Sequence, residues 1–397
     1  MQVFVHHWFH WIFALLLIAF GPKIGRWLER YEIIYDLRYA MYRLVQHPWP
    51  LKMGWRDVVV VAIDDDSYYH GVPSPGAPIN RRYLAELVNK LVEFDPAVIA
   101  LDFNFLATDP TGKTTVAVQD GDKQIRLAED PAWAEDMLVL LQKLRKVAPD
   151  CAIVLPTMIA REGEEYVTTA NDYDGFEFPN DADVNRGYIQ LADDVRTLPP
   201  ELPIKNGPPI VSFSIAAVQL YNGDALKDQD LRETRFCSFI LRDPNHEVTA
   251  KQVLGASGET ARKLKQKMRH KIVIIGADWH SAGYKVGPLI DSYRTPVGEL
   301  PGVLVHANYI QAFLSGRSFR LLGSEIFEWT FGFLLAWALV WPMKMPRKII
   351  VVALIILIPL ILSYLILQQF GIYCDMVIVD LLLLGHIAFE RIFLPRR

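Results

Sequence analysis

Cysteine is scarce in this chain. There are three, Cys151, Cys237 and Cys374, with no C-x-x-C and no Cys/His cluster at zinc spacing. That excludes a zinc module and a disulfide framework. Cys151 and Cys237 leave two readings open, one disulfide outside the cytoplasm or two buried free thiols. A surplus of positive charge is also lacking. Lys plus Arg number 41 against 45 Asp plus Glu, a formal net charge of −4. No nucleic-acid partner is expected, since such partners usually show as a basic surplus. There is no GxSxG elbow, no P-loop and no HExxH. Gly276-Ala277-Asp278 lacks the remaining glycines of a dinucleotide loop. No cofactor, no metal and no enzymatic activity are expected.

Apolar residues are plentiful and unevenly placed: 51% of the 397 residues are hydrophobic. The run VFVHHWFHWIFALLLIAF, Val3 to Phe20, is just long enough for the ~20 apolar residues a bilayer requires. No basic region precedes it and no A-x-A-like site follows, so it reads as an uncleaved anchor. His6, His7 and His10 stand beside Trp8 and Trp11, as interfacial rings do. Three further candidates are Ile326–Trp341, Ile349–Leu367 and Ile372–Phe389.

The connection 343–348 carries three basic residues, the connection 368–371 none, and the tail 390–397 is basic again. The positive-inside rule then puts the C-terminus in the cytoplasm and the large domain outside. Lys23, Arg26 and Arg30 argue the other way for the first segment. Asp380, in an otherwise apolar stretch, reads either as an intramembrane contact to another helix or subunit, or as a residue reaching headgroup water.

The expected organisation is an anchor over 1–22, a connecting helix over 23–50, an extracytoplasmic α/β domain over 51–320, and three C-terminal transmembrane helices with a short basic tail over 321–397. The expected location is the bacterial cytoplasmic (inner) membrane, multi-pass, in contact with the lipid bilayer. In the connecting helix, Leu28, Tyr31, Ile34, Tyr35 and Tyr42 fall near one stripe, and Pro48 and Pro50 end it.

Within the large domain, strand and helix signals alternate. Val58–Ile63, VVVVAI, is the β-branched run of a strand buried on both faces. A helix opens near Asn80. Ala97–Leu101 and Ala152–Leu155 read as strands with the helix Pro131–Val147 between them. Ile210–Tyr221 reads as helix, Lys271–Ile275 as strand and Gly302–Leu314 as helix. The pattern predicts a mostly parallel sheet with helices on both faces. Residues 107–130 and 156–209 read as long polar loops.

Ligands of open α/β sheets favour the carboxyl ends of the strands. Three such ends carry Asp64, Asp65 and Asp66; Asp102 and Asn104; and Asp278 and His280. These carboxylates could hold a divalent cation or a polar ligand. They could equally cap loops and helix starts by local hydrogen bonds. Asp291 and His306 lie close enough in sequence to meet across the turn at Pro301-Gly302, as a structural pair or as part of a site.

Several segments resemble the CHASE2 family of bacterial extracellular sensor domains over roughly 30–390. Tyr35-Asp36-Leu37-Arg38 resembles its opening helix, and Ala62-Ile63-Asp64-Asp65-Asp66-Ser67 its first strand and acidic turn. Asn80–Leu87 through Ile99–Phe103 resembles the following helix and strand. The most specific stretch is Ile274-Ile275-Gly276-Ala277, then Asp291, Thr295-Pro296-Val297-Gly298 and Pro301-Gly302-Val303-Leu304-Val305-His306-Ala307. Of the family's Trp-Pro-Trp-x-Arg-like stretch only the arginine carries over, here Arg82.

The resemblance implies a sensor. Relatives commonly continue into a cyclase or kinase, whereas this chain stops at Arg397, so output is expected on a separate membrane or cytoplasmic partner. An unknown extracytoplasmic ligand and a homo-oligomer are compatible with this. Two other readings stand beside it: a scaffolding subunit of an envelope complex, and a metal-dependent hydrolase using Asp64, Asp65 and Asp102.

Overall fold

A computed structural model describes residues 31–47, 55–71, 79–106, 116–127, 133–171, 173–179, 182–227, 229–321 and 345–375. They fall into two compact units, one within Lys52–Ser318 and one drawn from Met1–Leu51 with Phe319–Arg397.

The larger unit is built on six strands: β1 (Val58–Asp64), β2 (Val98–Asp102), β3 (Ala152–Thr157), β4 (Val184–Tyr188), β5 (Glu247–Thr249) and β6 (Ile272–Asp278). Their spatial order is β5-β1-β6-β2-β3-β4, and every neighbouring pair is parallel. Side chains alternate strictly between two cores, as the two-residue period of a strand requires. Val59, Val61, Ile63, Ile99, Leu101, Val273 and Ile275 enter one core, and Val58, Val60, Ala62, Val98, Ala100, Ile272 and Ile274 the other. Because both faces are covered, the central strands β1, β6, β2 and β3 are apolar at nearly every position.

One face is covered by α3 (Arg81–Val92), α4 (Ala134–Val147), α6 (Ala250–Leu254) and α7 (Gly258–Met268), which follow the short α2 (Asp65–His70). Helix α3 starts where the Asn80 side chain accepts from the amides of Arg82 and Tyr83, at 2.8 and 3.3 Å. Its buried Tyr83, Leu84, Leu87, Val88 and Leu91 repeat at helical spacing. Helix α4 carries Glu135 and Asp136 in its first turn and Arg145 and Lys146 in its last, each suited to the local end of the dipole.

The other face is covered by α5 (Phe213–Asn222) and α8 (Gly302–Leu314). Helix α8 is buried from Gly302 through Phe313, on all sides, so it reads in sequence as an apolar run without amphipathic spacing. The expected mostly parallel, doubly covered sheet is present.

The segments read as long loops hold more structure than expected. Val116–Asp120 pairs with Lys123–Leu127, turning at Gly121, where φ is 61°. Ile159–Glu162 pairs with Glu165–Thr168, turning at Gly163, where φ is 65°. Strand β4 also arises from this polar stretch. At the edge of the sheet it is only partly covered over residues 184–186, which asks little apolar content there. The three cysteines are free and buried, so Cys151 and Cys237 form no disulfide.

In the smaller unit lie α1 (Glu32–Val45) and α9 (Met345–Phe370). Helix α1 buries Ile34, Tyr39, Met41, Tyr42 and Val45, whereas Tyr31 and Tyr35 face solvent, contrary to the stripe expected for them. Tyr42 meets Tyr373 edge-on at 4.8 Å, and Arg38 pairs with Asp375 at 3.0 Å.

The expectation of four transmembrane helices is corrected. Among the described residues no helix is long and apolar enough to cross a membrane. Candidate Ile349–Leu367 lies inside α9, whose later turns engage the rest of this unit through polar groups. Ser363 donates to the Cys374 carbonyl at 2.9 Å, and Gln368 to the Val45 carbonyl at 3.0 Å. Candidate Ile372–Phe389 begins as a strand, Ile372–Tyr373, with Arg320 opposite Ile372. Candidates 3–20 and 326–341, and Asp380, lie outside the described residues.

Candidate functional site at the carboxyl ends of the strands

Register decides which acidic residues meet. Asp64 of β1 stands opposite Asp278 of β6, and Gly276 of β6 stands opposite Asp102 of β2. The three strand ends therefore lie side by side at the centre of the sheet, and two groups of side chains grow from them.

The first group gathers Asp64, Asp65, Asp278 and His280. Asp64 caps α2, accepting from the Ser67 amide at 2.9 Å and the Ser67 hydroxyl at 2.6 Å. Asp65 is 6% exposed and accepts three bonds. They come from the His280 amide at 2.9 Å, from His280 Nδ1 at 2.6 Å and from the Lys285 amide at 3.3 Å. Around this staple, Tyr69 donates to the His280 carbonyl at 2.6 Å, Tyr284 donates to Asp66 at 3.1 Å, and Tyr68 stacks on Trp279 at 4.3 Å.

Asp278 pairs with Arg242, which also bonds Glu247 at 2.5 Å. Burial raises the carboxyls of both Asp278 and Glu247, and the Arg242 guanidinium opposes that rise. Asp64, Asp65 and Asp278 each accept from the chain's own donors. Among the described residues no group of three His, Cys, Asp or Glu could hold a metal ion.

The second group gathers Asp102, Asp291 and His306. The antiparallel hairpin β7 (Ser292–Thr295) and β8 (Gly298–Pro301) leads into α8. Thr295 Oγ1 donates to the Gly298 carbonyl at 2.5 Å and accepts from the Val297 amide at 3.3 Å, closing the turn. Gly302, the first residue of α8, donates its amide to the Asp291 carbonyl at 2.8 Å. A Cβ on Gly302 would lie 2.0 Å from Asp291 Oδ2, and one on Gly276 would lie 2.6 Å from the Val303 side chain. Both glycines are needed for close approach rather than for an unusual backbone angle.

His306 sits one turn into α8 and is 2% exposed. Its Nδ1 lies 3.1 Å from Ser214 Oγ and its Nε2 3.2 Å from the Ile189 carbonyl. A carbonyl only accepts, so Nε2 carries the proton and Nδ1 accepts from Ser214. Burial lowers the imidazole to about 4 and keeps it neutral. His306 and Asp291 do not form the direct pair that their spacing suggests. The hairpin holds Asp291 at the mouth of α8, bonded to Tyr293, while His306 turns toward α5 and Asp102.

Arg82 is not brought to either group. It lies on the outer face of α3, paired with Asp136 of α4, beside a surface depression of about 450 Å³ shared with Lys143 and Lys146. Sequence reading also misses Arg242, Glu247, Ser214 and Tyr293. None carries a local signal, because each reaches its partner through the fold.

Residues 11–344 match the CHASE2 domain profile. Comparison with curated proteins and with solved structures gives no match. The match covers most of the chain, which therefore belongs to the CHASE2 family, a family of extracellular sensory domains.

Proposed function

We propose that this CHASE2 chain is a non-enzymatic receptor subunit that passes an extracytoplasmic signal to a separate partner protein. The observation that carries this reading is the closure of the strand ends. In an α/β enzyme that crevice is where substrate meets catalytic groups. Here the segment 279–301 lies over it, and Asp64, Asp65 and Asp278 spend their hydrogen-bonding capacity on Ser67, His280, Lys285 and Arg242. Of the three carboxylates a hydrolytic centre here would use, Asp64 and Asp65 are engaged by the chain's own donors and Asp102 alone is unbonded among the described residues, which favours the receptor reading over a hydrolase.

A covering segment joined to the strand ends through the Asp65 and Asp66 side chains suits a sensor, since such a segment can shift while the sheet beneath stays fixed. The test is crosslinking in living cells followed by purification of the full chain. Recovery of one partner in fixed ratio, carrying an output activity of its own, is expected. Recovery of the chain alone, or hydrolysis of ester or phosphoester substrates that Asp65→Asn abolishes, would overturn the reading.

A further inference from the structure

The Asp102 carboxyl is 7% exposed, and His306 Nε2 lies 3.7 Å from its Oδ1. Among the described residues no group donates it a hydrogen bond and no lysine or arginine pairs with it. The groups that face it come from three directions. Asp291 comes from the segment after β6, Tyr293 from β7 and His306 from α8. None supplies positive charge. His306 is neutral, with its proton given to Ile189, and Tyr293 bonds Asp291. Asp102 thus lies beside a second largely buried carboxyl with no counter-ion among the described residues, an arrangement that disfavours ionising both at once. Burial drives both upward, and the repulsion from Asp291 falls on Asp102, the more buried of the two.

We infer that Asp102 and Asp291 together form a proton-binding centre, and that loss of its proton to solvent loosens the segment 279–301, making protons a signal that this domain senses. The proton belongs to the pair rather than to either residue. On its release the site holds two negative charges, and Asp291 is the one that can yield, since it rides on a connecting segment while Asp102 is fixed at the end of a central strand. Its oxygen already abuts Gly302 at the start of α8, and its carbonyl holds the Gly302 amide. Movement of Asp291 therefore disturbs the hairpin and the helix start together. The residues involved, Gly276, Asp291, Thr295, Gly298, Pro301, Gly302 and His306, are those of the chain's most specific sequence stretch.

The role of protons as signal rests on the sensory reading above, but the centre itself is testable without any partner. The experiment is an infrared titration of carboxyl protonation on the purified full chain, with amide exchange of 279–301 followed across the same pH series. A protonated carboxyl is expected to persist where exposed carboxyls are already ionised. Beyond the intrinsic base-catalysed rise, which the strands β1 and β6 report, exchange in 279–301 should increase about tenfold or more as that signal disappears, since one pH unit past a midpoint changes protonation tenfold. Asp102→Asn should abolish the late-titrating signal and leave exchange in 279–301 following only the intrinsic base-catalysed rise of amide exchange with pH. Tyr293→Phe removes a hydrogen bond that favours ionised Asp291, so it should move the midpoint upward with the fold intact. That shift decides the matter should Asp102→Asn fail to fold. No protonated carboxyl beyond the ordinary range, exchange that ignores its titration, or an unmoved midpoint in Tyr293→Phe would overturn the inference. Failure to find a partner would overturn only the receptor reading.

Discussion

His306 and Asp102 are neighbours that do not form an ion pair: Nε2 lies 3.7 Å from Asp102 Oδ1 and donates to the Ile189 carbonyl at 3.2 Å instead. Charging the ring would cost its burial without a carboxylate bonded to it, so the ring stays neutral and its bond to Ile189 ties α8 to the segment after β4. Protonation has to go to the carboxyls.

Opposite pH dependences follow for the two kinds of group. His306 is lowered from 6.5 to about 4, so between these values the unfolded chain binds more protons. Its contribution is complete above about 6.5 and lost as pH falls toward 4, a swing of about 3 kcal/mol. The raised carboxyls of Asp102 and Asp291 act in reverse. Their contribution is full in acid and lost as pH rises through their folded values. Chemical denaturation across pH should show His306→Gln losing the acid-side decline, and Asp102→Asn losing the decline on the alkaline side.

Gly302→Ala is expected to destabilise the larger unit by about 1–3 kcal/mol, because the added carbon meets Asp291 Oδ2 at 2.0 Å. Adding Asp291→Ser should recover much of the loss. Urea unfolding of the two variants checks this, and additive losses would contradict it.

Asp65→Ala removes the acceptor of three donors, His280 N, His280 Nδ1 and Lys285 N. The expected cost is about 1–3 kcal/mol. Faster amide exchange should be confined to 280–290, with the strands β1 and β6 still protected. Exchange mass spectrometry reads both.

Arg242→Met leaves Asp278 and Glu247, 7% and 11% exposed, without their shared cation. Arg242 itself is half-exposed, so the expected loss is modest, about 1–2 kcal/mol. The loss should shrink on acidification, because protonating the two carboxyls removes the stranded charge. Thermal unfolding at two pH values checks the sign.

The central sheet was legible because a parallel strand buried on both faces needs an unbroken apolar run, and Val58–Ile63 is one. The caps at Asp64 and Asn80 were legible because their partners are two or three residues away. The hairpins at Gly121 and Gly163 were not, since KQIRL and EYVT form separate, largely exposed two-stranded hairpins where polar side chains serve. Ser214 and His306 are 92 residues apart, and Arg242 meets Asp278 across 36, so only the fold joins them. Hydropathy reported the composition of Ile349–Leu367 faithfully but not the bonds of Ser363 and Gln368 within their own unit. Arg82 was carried over from a family resemblance, which fixes a position in sequence and not the face it occupies.

The most direct test of the receptor reading compares the output of the captured partner bound to the wild-type chain and to the Asp65→Ala chain. Asp65→Ala is expected to loosen the segment over the strand ends while leaving the sheet intact. A changed output from an intact complex is expected. An unchanged output, with the complex equally stable, would contradict the receptor reading and make the chain a scaffold.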